Sequence, residues 1–177
     1  MKKIITIVSL LIVLIQNIKA QNLPTLPTPG SYITNNTMGP FHGTWQWVSG
    51  SDTVKLYLNT QKVWINYTGG FYLDCLVGWH LYKNGNTVVE SSYNNINNGN
   101  TYTFMGGNEN GPINIAEGTL NDLSKHKKVH LELRLNSSHN QLTWKLTELQ
   151  GVQIRVAGDH PFQNGFTLPK NMLLVKQ

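Results

Sequence analysis

Hydrophobic and polar residues alternate with a period of two along most of the chain after residue 40. The segment Phe41 to Leu58, FHGTWQWVSGSDTVKLYL, contains two such runs on either side of the polar turn SGSD. This alternation is typical of β-strands with one buried face. Pairing the runs about the turn places Trp47 opposite Val54. The same register places Trp45 opposite Leu56, so the segment is predicted to be a β-hairpin.

A second hairpin is predicted near the carboxyl end, where two alternating runs flank the polar loop NSSHNQ. The first run occupies residues 129–135 and the second occupies residues 142–146. Pairing them about the loop sets Leu133 opposite Trp144 on the apolar face, and opposite charges meet on the other face. Because both faces agree, this register is self-consistent.

The longest alternating run extends from Phe71 to Lys83 and follows a predicted separate strand at residues 62–67. Because Cys75 lies within its apolar set, we expect a buried, inert thiol rather than a nucleophile. The cysteine is also the only one in the chain, so no internal disulfide can form. The apolar face of the run consists of Phe71, Leu73, Cys75, Val77, Trp79 and Leu81.

The dipeptide Asn84-Gly85 predicts a tight turn after this run, because both residues tolerate positive φ angles. The return strand at residues 86–93 then sets Glu90 opposite Trp79. Either the loop differs from this register or the strand is polar inside. Weaker strands are predicted at residues 102–105, 113–120, 152–156 and 172–176.

About ten short antiparallel strands in chain order, with no helical periodicity, predict an all-β domain. Such a series closes as an up-and-down barrel, and the alternative is a β-sandwich. The domain is expected to span residues 41–177. A linker rich in Pro, Thr and Asn is expected at residues 21–40, which hold four of the seven prolines.

Residues 1–20 predict a signal peptide of the Sec type. Lys2 and Lys3 precede an apolar run from Ile4 to Ile15 that is too short to span a bilayer. Cleavage is expected between Ala20 and Gln21. No cysteine stands directly after the apolar run, so no lipid anchor is expected. We therefore expect a secreted or periplasmic protein that does not span the membrane once the signal is removed.

Charge and motifs exclude several function classes. The signal peptide carries three of the 14 Lys and Arg residues, which leaves 11 against nine acidic residues, a net charge of +2. This weak charge argues against a nucleic-acid partner. Asp74 and His80 lie about 20 Å apart along one strand, too far to share a metal ion. Without a Gly-x-Ser-x-Gly motif or paired acids, we expect no catalytic residues, metal or cofactor, and hence no enzyme.

The five tryptophans are the most informative side chains, since all of them fall in predicted strands. Aromatic side chains lining a barrel either bind an apolar ligand or simply fill the core. Candidate ligand-binding residues are Trp47, Trp79 and Trp144. Trp64 alternates against its neighbours Val63 and Ile65, so we expect it at an exposed rim or partner surface.

The opening FHGTW, Phe41 to Trp45, resembles the Gly-x-Trp first strand of the calycin group, which includes lipocalins, fatty-acid-binding proteins and avidins. Together with DCLVGWHLYKNG (residues 74–85) and FTLPKNMLLVKQ (residues 166–177), it resembles a family of small secreted bacterial β proteins described as a domain of unknown function. The resemblance implies secretion and a β-rich fold, and it implies no activity or ligand residue.

Two functions remain open from the sequence. The first is a non-catalytic binding module that takes a small apolar ligand inside the barrel or at its mouth. The alternative is a packed β domain that acts as an envelope or surface interaction protein. A cavity lined by Trp47, Trp79 or Trp144 would favour the first, and a filled interior the second.

Overall fold

The computed structural model describes residues 26–67, 69–96, 98–99, 101–108, 111–150, 158, 160–161 and 163–177. The predicted signal peptide, with its cleavage site at Ala20 and Gln21, lies outside the described residues, as does the predicted strand at 152–156. The described strands are β1 (Tyr32–Ile33), β2 (Gly43–Ser49), β3 (Asp52–Ile65), β4 (Phe71–Asn84), β5 (Thr87–Ser91), β6 (Phe104–Gly107), β7 (Ile115–Asp122), β8 (Lys127–Leu135), β9 (Gln141–Glu148) and β10 (Asn171–Lys176).

Eight of these strands close an antiparallel barrel. Each barrel strand pairs with the next one in the chain, in the order β2, β3, β4, β6, β7, β8, β9 and β10, and β10 returns to pair with β2. Short connections favour this order because neighbours in sequence become neighbours in the sheet. The prediction of an all-β up-and-down barrel is confirmed, and the fold is not a sandwich.

Both predicted hairpin registers are confirmed. Trp45 pairs with Leu56 in the β2–β3 hairpin, as expected from the alternation about SGSD. Leu133 pairs with Trp144 in the β8–β9 hairpin. Each register keeps apolar side chains on the barrel interior, which is the reason the pattern specified it.

Strands β3 and β4 are longer than the barrel requires. They pair residue for residue from Asp52–Asn84 to Ile65–Phe71, whereas β2 accompanies β3 only as far as Leu58. The prediction of a separate strand at residues 62–67 is therefore wrong. The polar residues before it continue β3, because pairing with β4 satisfies their backbone groups. The part of the ribbon beyond Leu58 projects from the barrel.

The other edge of β4 is shared by three strands. β1 pairs with it in parallel near Tyr72, β6 pairs with it over Leu76 to Gly78, and β5 pairs with it from Leu81. The β4–β6 pairing that closes the barrel is therefore short, and the other two strands complete the edge on either side of it.

The turn after β4 lies one residue later than predicted. Asn84 pairs with Thr87, so the two-residue loop is Gly85-Asn86 rather than Asn84-Gly85. A register shift between Tyr82 and Lys83 then sets Glu90 opposite Tyr82 rather than Trp79. The bulge turns Glu90 toward the interior, which resolves the conflict in favour of a strand that is polar inside.

The barrel interior is filled by one continuous apolar cluster to which every barrel strand contributes. Large side chains occupy it, including Trp45, Trp144, Phe104 and Phe41, all fully buried. The indole nitrogen of Trp45 donates a hydrogen bond of 2.8 Å to the carbonyl oxygen of Phe41. This bond ties the Gly-x-Trp strand to the 3₁₀ turn Gly39–Phe41 that leads into it.

Part of the predicted linker packs against the barrel. β1 extends the sheet beside β4, and Met38 is fully buried in the interior cluster. The second half of residues 21–40 therefore contributes contacts to the domain that follows it.

Glycines allow β6 and β7 to approach each other closely. Gly106 pairs with Gly118, and a Cβ at Gly106 would lie 2.2 Å from the carbonyl oxygen of Glu117. A Cβ at Gly118 would meet the carbonyl oxygen of Met105 at the same distance. Backbone cannot move aside as a flexible side chain can, so any side chain here must separate the strands.

We expect Gly106→Ala to lower the free energy of unfolding by about 3 kcal/mol, because the added methyl group overpacks backbone against backbone. Gly107→Ala is the matched control. A Cβ at Gly107 meets nothing within 4 Å, so a change within about 1 kcal/mol is expected there. Urea unfolding followed by tryptophan fluorescence measures both. Equal stability of the two variants would contradict the close approach.

Candidate functional site

The structure separates the three tryptophans predicted to bind a ligand. Trp144 is fully buried in the interior cluster, and Trp47 is partly buried against the same cluster. Trp79 belongs to a second cluster with Val63 and Cys75. The predicted apolar face of β4 therefore faces outward, and the interior receives the alternate residues, such as Leu76. The three side chains do not line one cavity.

The outer cluster covers the second face of β4. Its buried members are Val63, Cys75, Val77 and Trp79, with Tyr102 and other partly buried residues packed over them. The ring of Tyr102 meets that of Trp79 edge-on, with centroids 6.4 Å apart. The chain between β5 and β6 thus folds back over the outside of the barrel. Cys75 is buried, as predicted.

A cleft lies outside the barrel along the edge of β4, between β1 and β6. Its volume is about 240 Å³. We call it the outer cleft. Two further surface clefts can be described, and no tryptophan lines any of the three. The outer cleft is lined by Asn35, Ile65, Phe71, Leu73, Asp74, Cys75, Met105, Gly106 and Gly107.

Hydrogen bonds hold the polar rim of the outer cleft in place. The backbone N–H of Asn35 donates to a carboxylate oxygen of Asp74 at 3.1 Å. The side-chain amide of Asn35 donates to Asn108 at 3.2 Å, and the hydroxyl of Thr37 donates to the same oxygen at 2.8 Å. The hydrogen bonds to Asn108 connect the segment after β1 to the end of β6. The cleft is therefore bounded by three elements fixed to one another.

Three aromatic side chains form a row on the other face of the same ribbon, and we call them the aromatic row. Tyr32 pairs with Tyr72, and Tyr72 pairs with Trp64, so the three lie side by side across β1, β4 and β3. Their exposed fractions are 46%, 37% and 46% for Tyr32, Tyr72 and Trp64. The exposed position predicted for Trp64 is confirmed.

Neighbouring groups fix the rings of the aromatic row. The centroids of Trp64 and Tyr72 lie 4.8 Å apart in an edge-to-face arrangement. The ammonium nitrogen of Lys62 lies 4.4 Å from the ring centroid of Tyr32 and 4.2 Å from that of Tyr72. The Trp64 indole also covers Gly70, where a Cβ would lie 2.0 Å from the ring. Gly70 has φ +73°, a second reason for glycine at this turn.

The hydroxyl of Tyr32 donates a hydrogen bond of 2.6 Å to Asp74. This bond, together with the nearby carboxylate charge, raises the pKa of Tyr32, so the phenol keeps its proton. Asp74 therefore joins the aromatic row to the rim of the outer cleft. Local sequence patterns do not indicate this position for Tyr32, since it pairs with Tyr72, forty residues away in the chain.

A buried polar network occupies the other end of β4. His80 is fully buried, with one ring nitrogen 2.8 Å from a Glu90 oxygen and the other 2.9 Å from the Thr103 hydroxyl. The Ser92 hydroxyl lies 3.0 Å from that of Thr103, and the backbone N–H of Ser124 donates to Glu90 at 2.9 Å. The Thr103 hydroxyl, the His80 imidazole and the Glu90 carboxylate are thus linked in the same order as the three groups of a hydrolase catalytic triad.

This network is enclosed by the fold rather than presented at a cleft. Glu90, Ser92 and Thr103 are each buried, as is His80. Burial raises the pKa of Glu90, but hydrogen bonds from His80 and Ser124 outweigh it, and the net pKa lies below the ordinary value. Glu90 therefore remains a carboxylate at neutral pH. We interpret the network as a structural contact that holds β5 and the β7–β8 turn against β4. We call these residues, His80, Glu90, Ser92, Thr103 and Ser124, the latch.

The described part of the chain contains no group of three or more His, Cys, Asp or Glu side chains that could hold a metal ion. No helix among the described residues has the length and apolar character needed to cross a membrane.

A family of unknown function, DUF6705, matches the chain over residues 1–177, and the chain belongs to this family. No curated protein and no solved structure matches it. The resemblance to a family of unknown function is confirmed. The secretion and bacterial origin that the resemblance implied stay predictions.

We expect Glu90→Gln to lower the free energy of unfolding by about 2 kcal/mol at neutral pH, because it removes a charged acceptor from the latch. The pKa of Glu90 is lower in the folded state than its ordinary value of 4.5. Its contribution is therefore fully present above that value and is lost as the pH falls through the folded pKa. Urea unfolding across this range measures the effect.

Glu117→Gln is the control, since its carboxylate is 54% exposed and a change within about 0.5 kcal/mol is expected. The stability of the Glu90 variant should depend less on acid pH than that of the parent protein. Parallel pH profiles for the parent and the Glu90 variant would rule out the charged latch.

Proposed function

We propose that this member of the family is a secreted or periplasmic, non-catalytic binding protein that takes a small apolar ligand in the outer cleft. The observation that carries the proposal is an apolar cleft of about 240 Å³ with a fixed polar rim. Small-molecule sites combine an apolar lining with a few placed polar groups in this way. The location rests on the predicted signal peptide at residues 1–20.

The lining supports an apolar ligand. Ile65, Phe71, Leu73 and Met105 line the cleft, and each offers carbon surface that a bound molecule would remove from water. The unbranched thioether of Met105 adapts its shape readily to a ligand. The volume suits a compound of one or two rings with a single polar group at the rim.

The filled barrel interior does not provide the cavity lined by Trp47, Trp79 or Trp144 that a ligand inside the barrel requires, so this proposal places the ligand outside it. Trp45, Phe104 and Trp144 fill the space that a lipocalin-type ligand would need, and they belong to one packed cluster. Enlarging that space would require removing large side chains, at about 3–5 kcal/mol each. In this proposal Trp45 and Trp144 therefore belong to the packed core and do not contact the ligand.

The buried network supports a role without catalysis. A nucleophile must reach its substrate, whereas the residues Ser92 and Thr103 are only 4% and 5% exposed and lie beside a fully buried His80. Thr103 also approaches the carbonyl oxygen of Gly78 at 3.3 Å, a bond that holds its hydroxyl inward. The hydroxyl, imidazole and carboxylate groups of the network are therefore engaged in hydrogen bonds that hold the fold together.

Binding of 1-naphthol, which has two rings and one hydroxyl, tests the cleft. We expect saturation-transfer NMR to show contact between the compound and the parent protein. Leu73→Ala is expected to weaken binding by about tenfold because it removes apolar wall surface. Gly107→Leu should weaken binding as strongly, since Gly107 lines the cleft and a Cβ there meets nothing within 4 Å, which leaves room for the larger side chain to take the space of the ligand.

Leu173→Ala is the matched control, because Leu173 is 50% exposed on β10 and does not line the cleft. It should bind 1-naphthol as the parent does, within about twofold. Equal binding by the parent, Gly107→Leu and Leu73→Ala would show that the compound binds elsewhere and would refute the site.

A further inference from the structure

Asn-Gly dipeptides are the places in a chain where an asparagine side chain loses ammonia most readily. Asparagine is chemically labile, and the backbone nitrogen of the next residue can attack its side-chain amide. Glycine leaves that nitrogen uncovered because it has no Cβ. The chain contains four such dipeptides, at residues 84–85, 98–99, 110–111 and 164–165. The structure gives the first and the last of them opposite surroundings.

The dipeptide Asn84-Gly85 is held in an unreactive arrangement at the end of β4. The backbone N–H of Gly85 donates a hydrogen bond of 2.7 Å to the carbonyl oxygen of Ser51. The side-chain amide of Asn84 donates to the Asp52 carboxylate at 2.7 Å. Attack by the backbone nitrogen on the side chain would break both bonds. The first dipeptide is therefore protected by the β3–β4 pairing.

The dipeptide Asn164-Gly165 is exposed and carries an activating contact. A Cβ at Gly165 would meet nothing within 4 Å, so the space around the attacking nitrogen is open. The carbonyl oxygen of Asn164 accepts a hydrogen bond of 2.9 Å from the ammonium of Lys125. When the Gly165 nitrogen loses its proton, negative charge spreads to this same oxygen, because both atoms belong to one amide. The ammonium therefore stabilises the anion that attacks.

A buried carboxylate sets the position of this ammonium. Asp122 is 1% exposed, and one of its oxygens accepts from the backbone N–H of Lys125 at 3.0 Å. Its other oxygen accepts from the backbone N–H of Thr167 at 2.7 Å. Such bonds to a charged acceptor are strong, so they hold the β7–β8 turn and the segment after Gly165 together. The contact between Lys125 and Asn164 thus joins two anchored segments.

From this contact, we propose that Asn164 is a modification site, at which the Lys125 ammonium accelerates conversion of the asparagine to aspartate and isoaspartate. The Gly165 nitrogen attacks Cγ of Asn164, so an N–Cγ bond forms and the Cγ–Nδ2 bond breaks. The side-chain nitrogen leaves as ammonia and carries away the proton that the backbone nitrogen gave up. Water then opens the cyclic imide at either carbonyl group. Water is the only reagent consumed, and nothing is oxidised or reduced.

The modification changes both charge and chain geometry at this turn. Either product carries a carboxylate on the residue that contacts the Lys125 ammonium, in place of a neutral amide. Isoaspartate also lengthens the main chain by one methylene group, shortly before Thr167 and Leu168, of which the latter is 2% exposed. Neither Asn164 nor Lys125 lines the outer cleft, so the modification is independent of the proposed ligand site.

Peptide mapping by mass spectrometry tests the proposal on the full chain after several weeks in mildly alkaline buffer. Digestion with pepsin at acid pH avoids further reaction during the analysis, and isoaspartyl methyltransferase separates isoaspartate from aspartate. We expect Asn164 to be converted about tenfold faster than Asn84, or faster still, because only Asn84 is held by both hydrogen bonds. Asn84 also reports on folding, since unfolding breaks the bonds that protect it.

Three variants separate the ammonium from other causes. Lys125→Met removes the charge and should slow conversion of Asn164 by about fivefold. Lys125→Arg keeps a cation that can reach the carbonyl oxygen and should react within about twofold of the parent. Lys128→Met removes the same charge from an exposed side chain on β8 and should also leave the rate within about twofold.

Two results would overturn the proposal. The first is conversion of Asn84 as fast as that of Asn164 in the folded parent protein. The second is an Asn164 rate that is the same in Lys125→Met as in the parent. A fall in rate that Lys128→Met reproduces in full would likewise refute it, because the effect would then come from the charge of the whole protein rather than from the contact.

Discussion

The length of β4 is the constraint on which the rest of the structure depends. It is 14 residues long and pairs with β3 along its full length, although barrel closure by β6 uses only Leu76 to Gly78 of its other edge. The backbone groups on the remainder of that edge need partners. β1 supplies them at one end and β5 at the other. The aromatic row, the outer cleft and the buried latch arise where these strands join.

Because β4 is buried on both faces, residues of types that often take part in catalysis, here His80 and Cys75, have structural roles. The interior face brings His80 to Glu90 and Thr103, and the outer face buries Cys75 beside Trp79. In both places the polar or nucleophilic groups are covered by neighbouring chain. Hydrogen bonds inside such an enclosure stabilise one arrangement strongly, since an unpaired group there would lose its water without replacement.

The proposed ligand site, the outer cleft, lies along the part of the ribbon that projects beyond the barrel. Its two sides differ in chemistry. One side carries the apolar outer cleft, whose rim is closed by Asn35 and Asn108, and the other carries the aromatic row, with the Lys62 ammonium over its two tyrosine rings. Asp74 contributes to both through Tyr32 and Asn35, so the two sides share one anchoring carboxylate. The packed barrel serves as the rigid support for this ribbon.

The sequence by itself determined the all-β class, most of the strands and the two hairpin registers, because alternation and turn residues act between neighbours in the chain. It also indicated that Trp64 is exposed. Only the tertiary structure decided which face of β4 lies inside, because the less apolar face, with Leu76, Gly78 and His80, is turned inward and the more apolar face is covered by the outer cluster. It alone placed Glu90 beside His80, through a one-residue bulge, and Tyr32 beside Tyr72. Those contacts join distant segments, and no local pattern records them.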